Sequence, residues 1–243
     1  MTELTPGNIH LWLASDLGTL DPTLAARYAA MLNPEEQARW QRFIYAQDRQ
    51  RFLLTRALVR TVLAQYLDVA DPASLAFITN AHGKPALAGA SHINFNLSHT
   101  KGLVVLAVTS AAEIGVDVEA VNRRVEMLEL AARYFSASEN QQLLELSGAE
   151  QRERFFRLWT LKEAYVKARG LGLRIPLDSF SFSFAQELPA IAFADADTGE
   201  HQQWFFHCMQ HAGDFRIALA LRSREQREIK VQTYTGVSTS FFR

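Results

Sequence analysis

Cysteine is almost missing from this 243-residue chain: Cys208 stands alone, so no internal disulfide is available and no cysteine-rich zinc spacing exists. Glycine and proline are sparse, at 12 and 7 residues, which excludes collagen-like, linker-rich and disordered chains. Long apolar runs are missing too. The longest, Leu103-Val104-Val105-Leu106-Ala107-Val108, falls far short of the ~20 residues that cross a bilayer. Charge of one sign is also lacking, since 25 Lys and Arg face 26 Asp and Glu for a net −1. Any attraction for phosphates therefore comes from a local cluster, and neither nucleic acid nor membrane is an expected partner. Met1-Thr2-Glu3-Leu4 carries an acid where an export signal has basic residues, so a reducing, cytoplasmic setting is the expectation.

Hydrophobic residues make up 48% of the chain, enough for one large α/β domain or two of roughly 120 residues. Alternation predicts strands over 8–13, 93–97, 103–109 and 114–119. Asp21-Pro22 and Asn33-Pro34 read as helix starts, the second opening a helical region that runs to Tyr66 with a break near Tyr45. Helical patterns return over 124–134, 138–146 and 151–169, the last closed by Gly170-Leu171-Gly172. Segments 180–184, 203–210, 215–221 and 229–234 read as an antiparallel tail, with turns at 197–199 and 212–214. Strand, helices and strands thus occur twice. The reading is two tightly packed halves, 1–112 and 113–243, divided near Ala111-Ala112.

Within Ile114-Gly115-Val116-Asp117-Val118-Glu119, a period of two puts the apolar residues on one face and Asp117 with Glu119 on the other. Two acids roughly 6.6 Å apart can converge on one cation, and Mg²⁺ suits them because it fills its other positions with water and phosphate oxygens. The alternative is an amphipathic strand with a wet acidic face. On the helix over 151–169, Trp159, Glu163 and Lys167 share a side at i, i+4, i+8, either as an ordinary surface ion pair or as one wall of a cleft. Six arginines, Arg39, Arg42, Arg49, Arg51, Arg56 and Arg60, surround the single acid Asp48, as a solvated helix face or as a seat for a polyanion. Gly83-Lys84-Pro85 places a lysine on a stiff turn. Ser98-His99 lies at the end of a strand without the Gly-x-Ser-x-Gly elbow of a hydrolase, so His99 reads as a phosphate donor and not as part of a catalytic dyad.

Gly83-Lys84-Pro85, Phe95-Asn96-Leu97-Ser98-His99-Thr100, Ile114 to Glu119, and Phe156-Arg157-Leu158-Trp159-Thr160-Leu161-Lys162-Glu163-Ala164-Tyr165-Val166-Lys167 occur in this order. Together they resemble the signature of the 4′-phosphopantetheinyl transferases, of the surfactin-synthetase-activating type. The resemblance implies an α/β (α+β) pseudo-dimer of two similar halves with the active site in the cleft between them. Residues 1–112 would supply the nucleotide contacts and 113–243 the metal site and catalytic helix. It implies transfer of the 4′-phosphopantetheine arm of coenzyme A to a serine of an acyl or peptidyl carrier protein, with Mg²⁺ as cofactor and adenosine 3′,5′-bisphosphate as product. Asp117, Glu119 and Glu163 would then bind Mg²⁺. Lys84, Ser98 and His99 would contact the nucleotide phosphates, and Lys167 the pyrophosphate. Glu163, directly or through a metal-bound water, is the candidate base, and Lys167 the group that neutralises or protonates the leaving phosphate.

The match is looser in the basic region, where Glu36 stands in place of a cation and Phe52 in place of a small polar residue. Arg39 and Arg51 are the first choices for the 3′-phosphate. The expected state is a monomer. Two other classes compete: a catalytically silent module that binds coenzyme A or a carrier protein, and a Mg²⁺-dependent phosphohydrolase using the same acids.

Overall fold

The computed structural model describes residues 4–5, 7–15, 20–90, 92–110, 113–184, 188–193, 199–223 and 229–236. The boundary expected at Ala111-Ala112, and Asp197-Thr198 of one expected turn, lie outside them. The chain begins with strand β1 (Asn8–Ser15) and three helices, α1 (Pro22–Ala30), α2 (Pro34–Gln41) and α3 (Ala46–Leu67). Asp21 accepts the amides of Thr23 and Leu24, while Asn33 and Glu36 form a reciprocal capping box, each with proline at the first helical position. Tyr45 has extended backbone and separates α2 from α3 where the break was expected. A small hairpin, β2 (Phe77–Thr79) and β3 (Pro85–Leu87), leads to β4 (Asn94–Thr100) and β5 (Leu103–Thr109).

The same order then repeats. Strand β6 (Glu113–Ala120) is followed by α4 (Met127–Tyr134), α5 (Ala137–Leu144) and α6 (Gly148–Arg169), then by a hairpin of β7 (Phe180–Ser183) and β8 (Ala190–Phe193), then by β9 (Trp204–His211) and β10 (Phe215–Arg222). In each series the first strand pairs antiparallel with the last, giving β1-β5-β4 and β6-β10-β9. Each long helix has 22 residues and ends at a left-handed residue, Asp68 or Gly170. The repeat lives in topology, which explains why residue-by-residue comparison does not reveal it.

Among the described residues, three apolar clusters set the layers. Ile9, Leu11, Leu13, Val105 and Ala107 meet Ile114, Val116, Val118, Ile217 and Leu219 between the two sheets. Trp12, Val104, Leu106 and Val108 face α3, and Ala218 and Ala220 face α6. Every residue of β5 is therefore buried, which accounts for its unbroken apolar run where a half-exposed strand would alternate. The last described strand, β11 (Lys230–Thr235), returns to the outer edge of β1 and runs parallel to it. The tail is thus not antiparallel throughout. Alternation specifies a strand and not its direction, and the free edge of β1 accepts a parallel partner stacked through Tyr234 on Trp12 at 4.6 Å between ring centroids.

Candidate active site

β6 and α6 touch at Gly115. A Cβ there would lie 2.0 Å from the Ala164 carbonyl oxygen and 2.5 Å from the Ala168 nitrogen, so only glycine lets the helix sit on the strand. This close approach brings the acids of β6 beside Glu163 and Lys167, one helical turn apart on α6. The strand's other side is held by β4, whose Asn96 accepts the amide of Val116 at 2.9 Å and whose Ser98 accepts that of Val118 at 3.4 Å. Side chains, in place of a backbone ladder, join the two sheets here.

Lys167 does not pair with Glu163. Its ammonium donates to Asp117 Oδ1 at 2.6 Å and to Ser98 Oγ at 2.9 Å, and Ser98 Oγ in turn donates to the same carboxylate oxygen at 2.9 Å. Asp117 is 5% exposed, and its other oxygen, Oδ2, is buried without a hydrogen-bond partner. Glu119 pairs with Arg123 at 3.1 Å. Burial, and after it the charge of Asp117, push Glu119 up from 4.5 to about 7, and the same two causes raise Glu163.

Among the described residues no three His, Cys, Asp or Glu side chains stand together as a finished metal cage. Lys167 instead fills the cationic role on Asp117. The donors nevertheless fit a hard divalent cation: oxygen ligands, one of them orphaned, and two acids that a nearby positive charge would relieve.

The raised Glu119 carboxyl gives a pH prediction. A carboxyl that holds its proton more tightly folded than unfolded contributes stability at low pH, and this is lost as pH rises from 4.5 towards about 7. In chelator, the wild-type Tm is expected to fall more steeply across this window than that of Glu119→Gln. Parallel curves would show that Glu119 ionises unhindered.

The arginine-rich region resolves into distinct roles. Arg60, 1% exposed, is structural: it bonds the carbonyls of Pro72, Ala73 and Leu75 and pairs with Glu36 at 2.8 Å. Glu36 also reaches Arg56 at 3.4 Å, so the acid found where a cation was expected anchors α2 to α3. Arg39, Arg51, Arg56 and His99 line a cleft of about 340 Å³ with Phe52 and Leu97. The guanidiniums of Arg39 and Arg56 lie 5.7 and 5.4 Å from the centroid of the Phe52 ring. Arg56 was not among the first choices for phosphate binding, although its i+4 spacing from Phe52 was legible. Leu97 and His99 face this cleft while Asn96 and Ser98 bond to β6, so alternate residues of β4 serve two sites.

Lys84 stands apart from both. It lines a second cleft of about 310 Å³ with Asn80, Phe95, Glu113 and Arg169, and its Nζ bonds the carbonyls of Ile114 and Ala168. Lys162, next to Glu163, is fully buried. It bonds the carbonyls of Leu177 and Phe180 and pairs with Glu139 at 2.8 Å, a lock between α5, α6 and β7 that the sequence reading did not single out.

A family profile described as "4'-phosphopantetheinyl transferase superfamily" matches residues 113–220, and another, "4'-phosphopantetheinyl transferase, N-terminal", matches 22–111. The chain is 35% identical over 161 residues to 4'-phosphopantetheinyl transferase Sfp of Bacillus subtilis, covering 66% of this chain and 70% of that one. It is 38% identical over 148 residues to 4'-phosphopantetheinyl transferase HetI of a Nostoc species, covering 60% of this chain and 62% of the relative. Among solved structures, the holo-[acyl-carrier-protein] synthase of Thermotoga maritima overlays 46% of this chain and 64% of its own, with TM-score 0.39 and 24% identity.

Proposed function

Because the chain belongs to the 4′-phosphopantetheinyl transferase superfamily, we propose that it transfers the 4′-phosphopantetheine arm of coenzyme A to a serine hydroxyl of an acyl or peptidyl carrier protein. The two series of elements, within 1–112 and 113–243, form the two halves of the enzyme, with β11 of the second crossing back to the sheet of the first and the cytoplasm as its place of work. The observation that carries the reading is the meeting of Asp117, Ser98 and Lys167 beside Glu119 and Glu163, with Ser98 on the strand, β4, whose Leu97 and His99 line the arginine cleft.

Arg39, Arg51, Arg56 and His99 grip the nucleotide phosphates, the guanidiniums of Arg39 and Arg56 being steadied by the Phe52 ring beside them. Asp117, Glu119 and Glu163 would hold Mg²⁺, which when bound supplies charge neutralisation on the pyrophosphate. Glu163, its carboxyl raised by burial, takes the proton of the carrier serine as that oxygen bonds to the phosphorus of the pantetheine phosphate. The bond from this phosphorus to the bridging oxygen breaks, and adenosine 3′,5′-bisphosphate leaves with its charge steadied by Lys167.

The test is the mass of an apo carrier protein after incubation with the chain, coenzyme A and Mg²⁺. A gain of one phosphopantetheine is expected, lost with chelator and restored by Mg²⁺. Breakdown of coenzyme A without a carrier protein would point to a phosphohydrolase instead. Coenzyme A is also expected to bind about 10–100-fold more tightly than its dephospho form, as one bidentate charged contact requires. Arg56→Met should narrow that ratio, because Glu36 keeps Arg60 as a partner and the fold survives. Equal affinities in the wild type would remove the cleft from the site.

A further inference from the structure

The last carbonyls of a helix have no partner inside it, and cations or donors there are favoured by the helix dipole. At the end of α6 one of these acceptors, and the carbonyl of Gly170 just past the helix, are met from the other half of the chain. The Ala168 carbonyl receives Lys84 Nζ at 2.7 Å, and the Gly170 carbonyl receives Asn80 Nδ2 at 2.8 Å. Asn80 Oδ1 meanwhile accepts the amides of His82 and Lys84, both at 2.9 Å, so one asparagine shapes the β2–β3 turn and caps the helix. Lys84 Nζ makes a further bond to the Ile114 carbonyl at 3.0 Å, three residues before Asp117. A Cβ on Gly170 would lie 2.8 Å from Lys84 Cδ and 3.1 Å from Asn80 Nδ2, which shows how closely the turn is seated.

One ammonium therefore ties the backbone beside Lys167 to the backbone that leads into Asp117. We propose that Lys84 is a positioning residue for the transfer reaction: with Asn80 it fixes the end of α6 against β6 and so holds Glu163 and Lys167 opposite Asp117 and Glu119. This rests on the transferase reading. It gives Lys84 a role distinct from the nucleotide contact that the resemblance implied, because two of its three N–H donors are engaged on carbonyls.

The full chain should be assayed as Lys84→Met, Lys84→Arg and Asn80→Asp, with amide hydrogen exchange followed over 166–170. Lys84→Met is expected to lower kcat by about tenfold or more while KM for coenzyme A stays within about twofold, the pattern of a misplaced catalytic group. Lys84→Arg, which keeps donors for both carbonyls, should recover most of the rate. Exchange over 166–170 should quicken in the methionine variant. A raised KM with kcat intact would make Lys84 a ligand of coenzyme A and overturn the proposal, as would unchanged kcat and exchange. If Lys84→Met does not fold, Asn80→Asp decides: it keeps the turn acceptor and loses the donor to Gly170, so a lower kcat at constant KM supports the proposal and a normal kcat overturns it. Should the wild-type chain transfer nothing, the transferase reading fails and exchange alone judges the cap, faster exchange supporting it and unchanged exchange overturning it.

Discussion

Asp117→Asn is expected to lower kcat by at least about 10²–10³ while leaving the protein folded, read from carrier-protein mass gain and from Tm. The carboxylate is the hub of the site: one oxygen takes Lys167 and Ser98, and the other is buried with no partner. Neutralising it withdraws the counter-ion that holds Lys167 in place and removes the central charge of the proposed Mg²⁺ site. Breaking a fully buried ion pair costs about 3–5 kcal/mol of stability. Lys167, whose side chain is 30% exposed, can instead turn to water, so the expected loss of Tm is small beside the loss of rate. The charge of Asp117 is also the second cause raising Glu119, and the variant should let Glu119 ionise at lower pH. Near-normal turnover in Asp117→Asn would remove the aspartate from the reaction.

The second large effect is expected at Gly115→Ala, where a single methyl group is added. Its Cβ would fall on the helical hydrogen bond from the Ala168 amide to the Ala164 carbonyl, at 2.5 and 2.0 Å from the two atoms. Both are backbone, so no side chain can swing aside. Either α6 lifts off β6 or its hydrogen bonding breaks. Overpacking of a core typically costs 1–3 kcal/mol, and a contact this short against rigid backbone belongs at or above the top of that range. Any molecules that fold would carry Glu163 and Lys167 on a displaced helix, and a shift of about 1 Å can cost about 10²-fold in rate. The measurements are Tm and kcat. An alanine variant with both unchanged would show that the helix is not seated as described.

These two positions also show how far the sequence is readable. Alternation in Ile114 to Glu119 places Asp117 and Glu119 opposite the apolar residues, and the structure agrees, because a period of two is fixed by the pleat itself. The helix start at Asn33-Pro34 and the side of α6 that carries Glu163 and Lys167 are legible in the same way. What was hidden is the choice of partner. Lys167 at i+4 from Glu163 suggests a local pair, yet it reaches Asp117 across 50 residues, where burial makes a counter-ion most valuable. Lys84 and Arg60 bond backbone carbonyls, which every residue has, so no pattern of side chains announces them. Glu36 and Lys162 likewise pair with residues far away in sequence, and only the packed helices bring these together. Strand β8 is not legible because Ala190-Ile191-Ala192-Phe193 holds no polar residue to alternate with, whereas the equally short β7, Phe180-Ser181-Phe182-Ser183, does.

The alternation along β4 has a consequence for how such an enzyme diversifies. Leu97 and His99 belong to the arginine cleft, Asn96 and Ser98 to the acidic centre, and neighbours in sequence point to opposite sides of the strand. If the arginine cleft holds the nucleotide end as proposed, Leu97 and His99 are the positions of β4 open to change for a different nucleotide end, while Asn96 and Ser98 are tied to the seam between the sheets. On that reading, selection for a new donor molecule and selection for rate act on interleaved but separate letters of one short word.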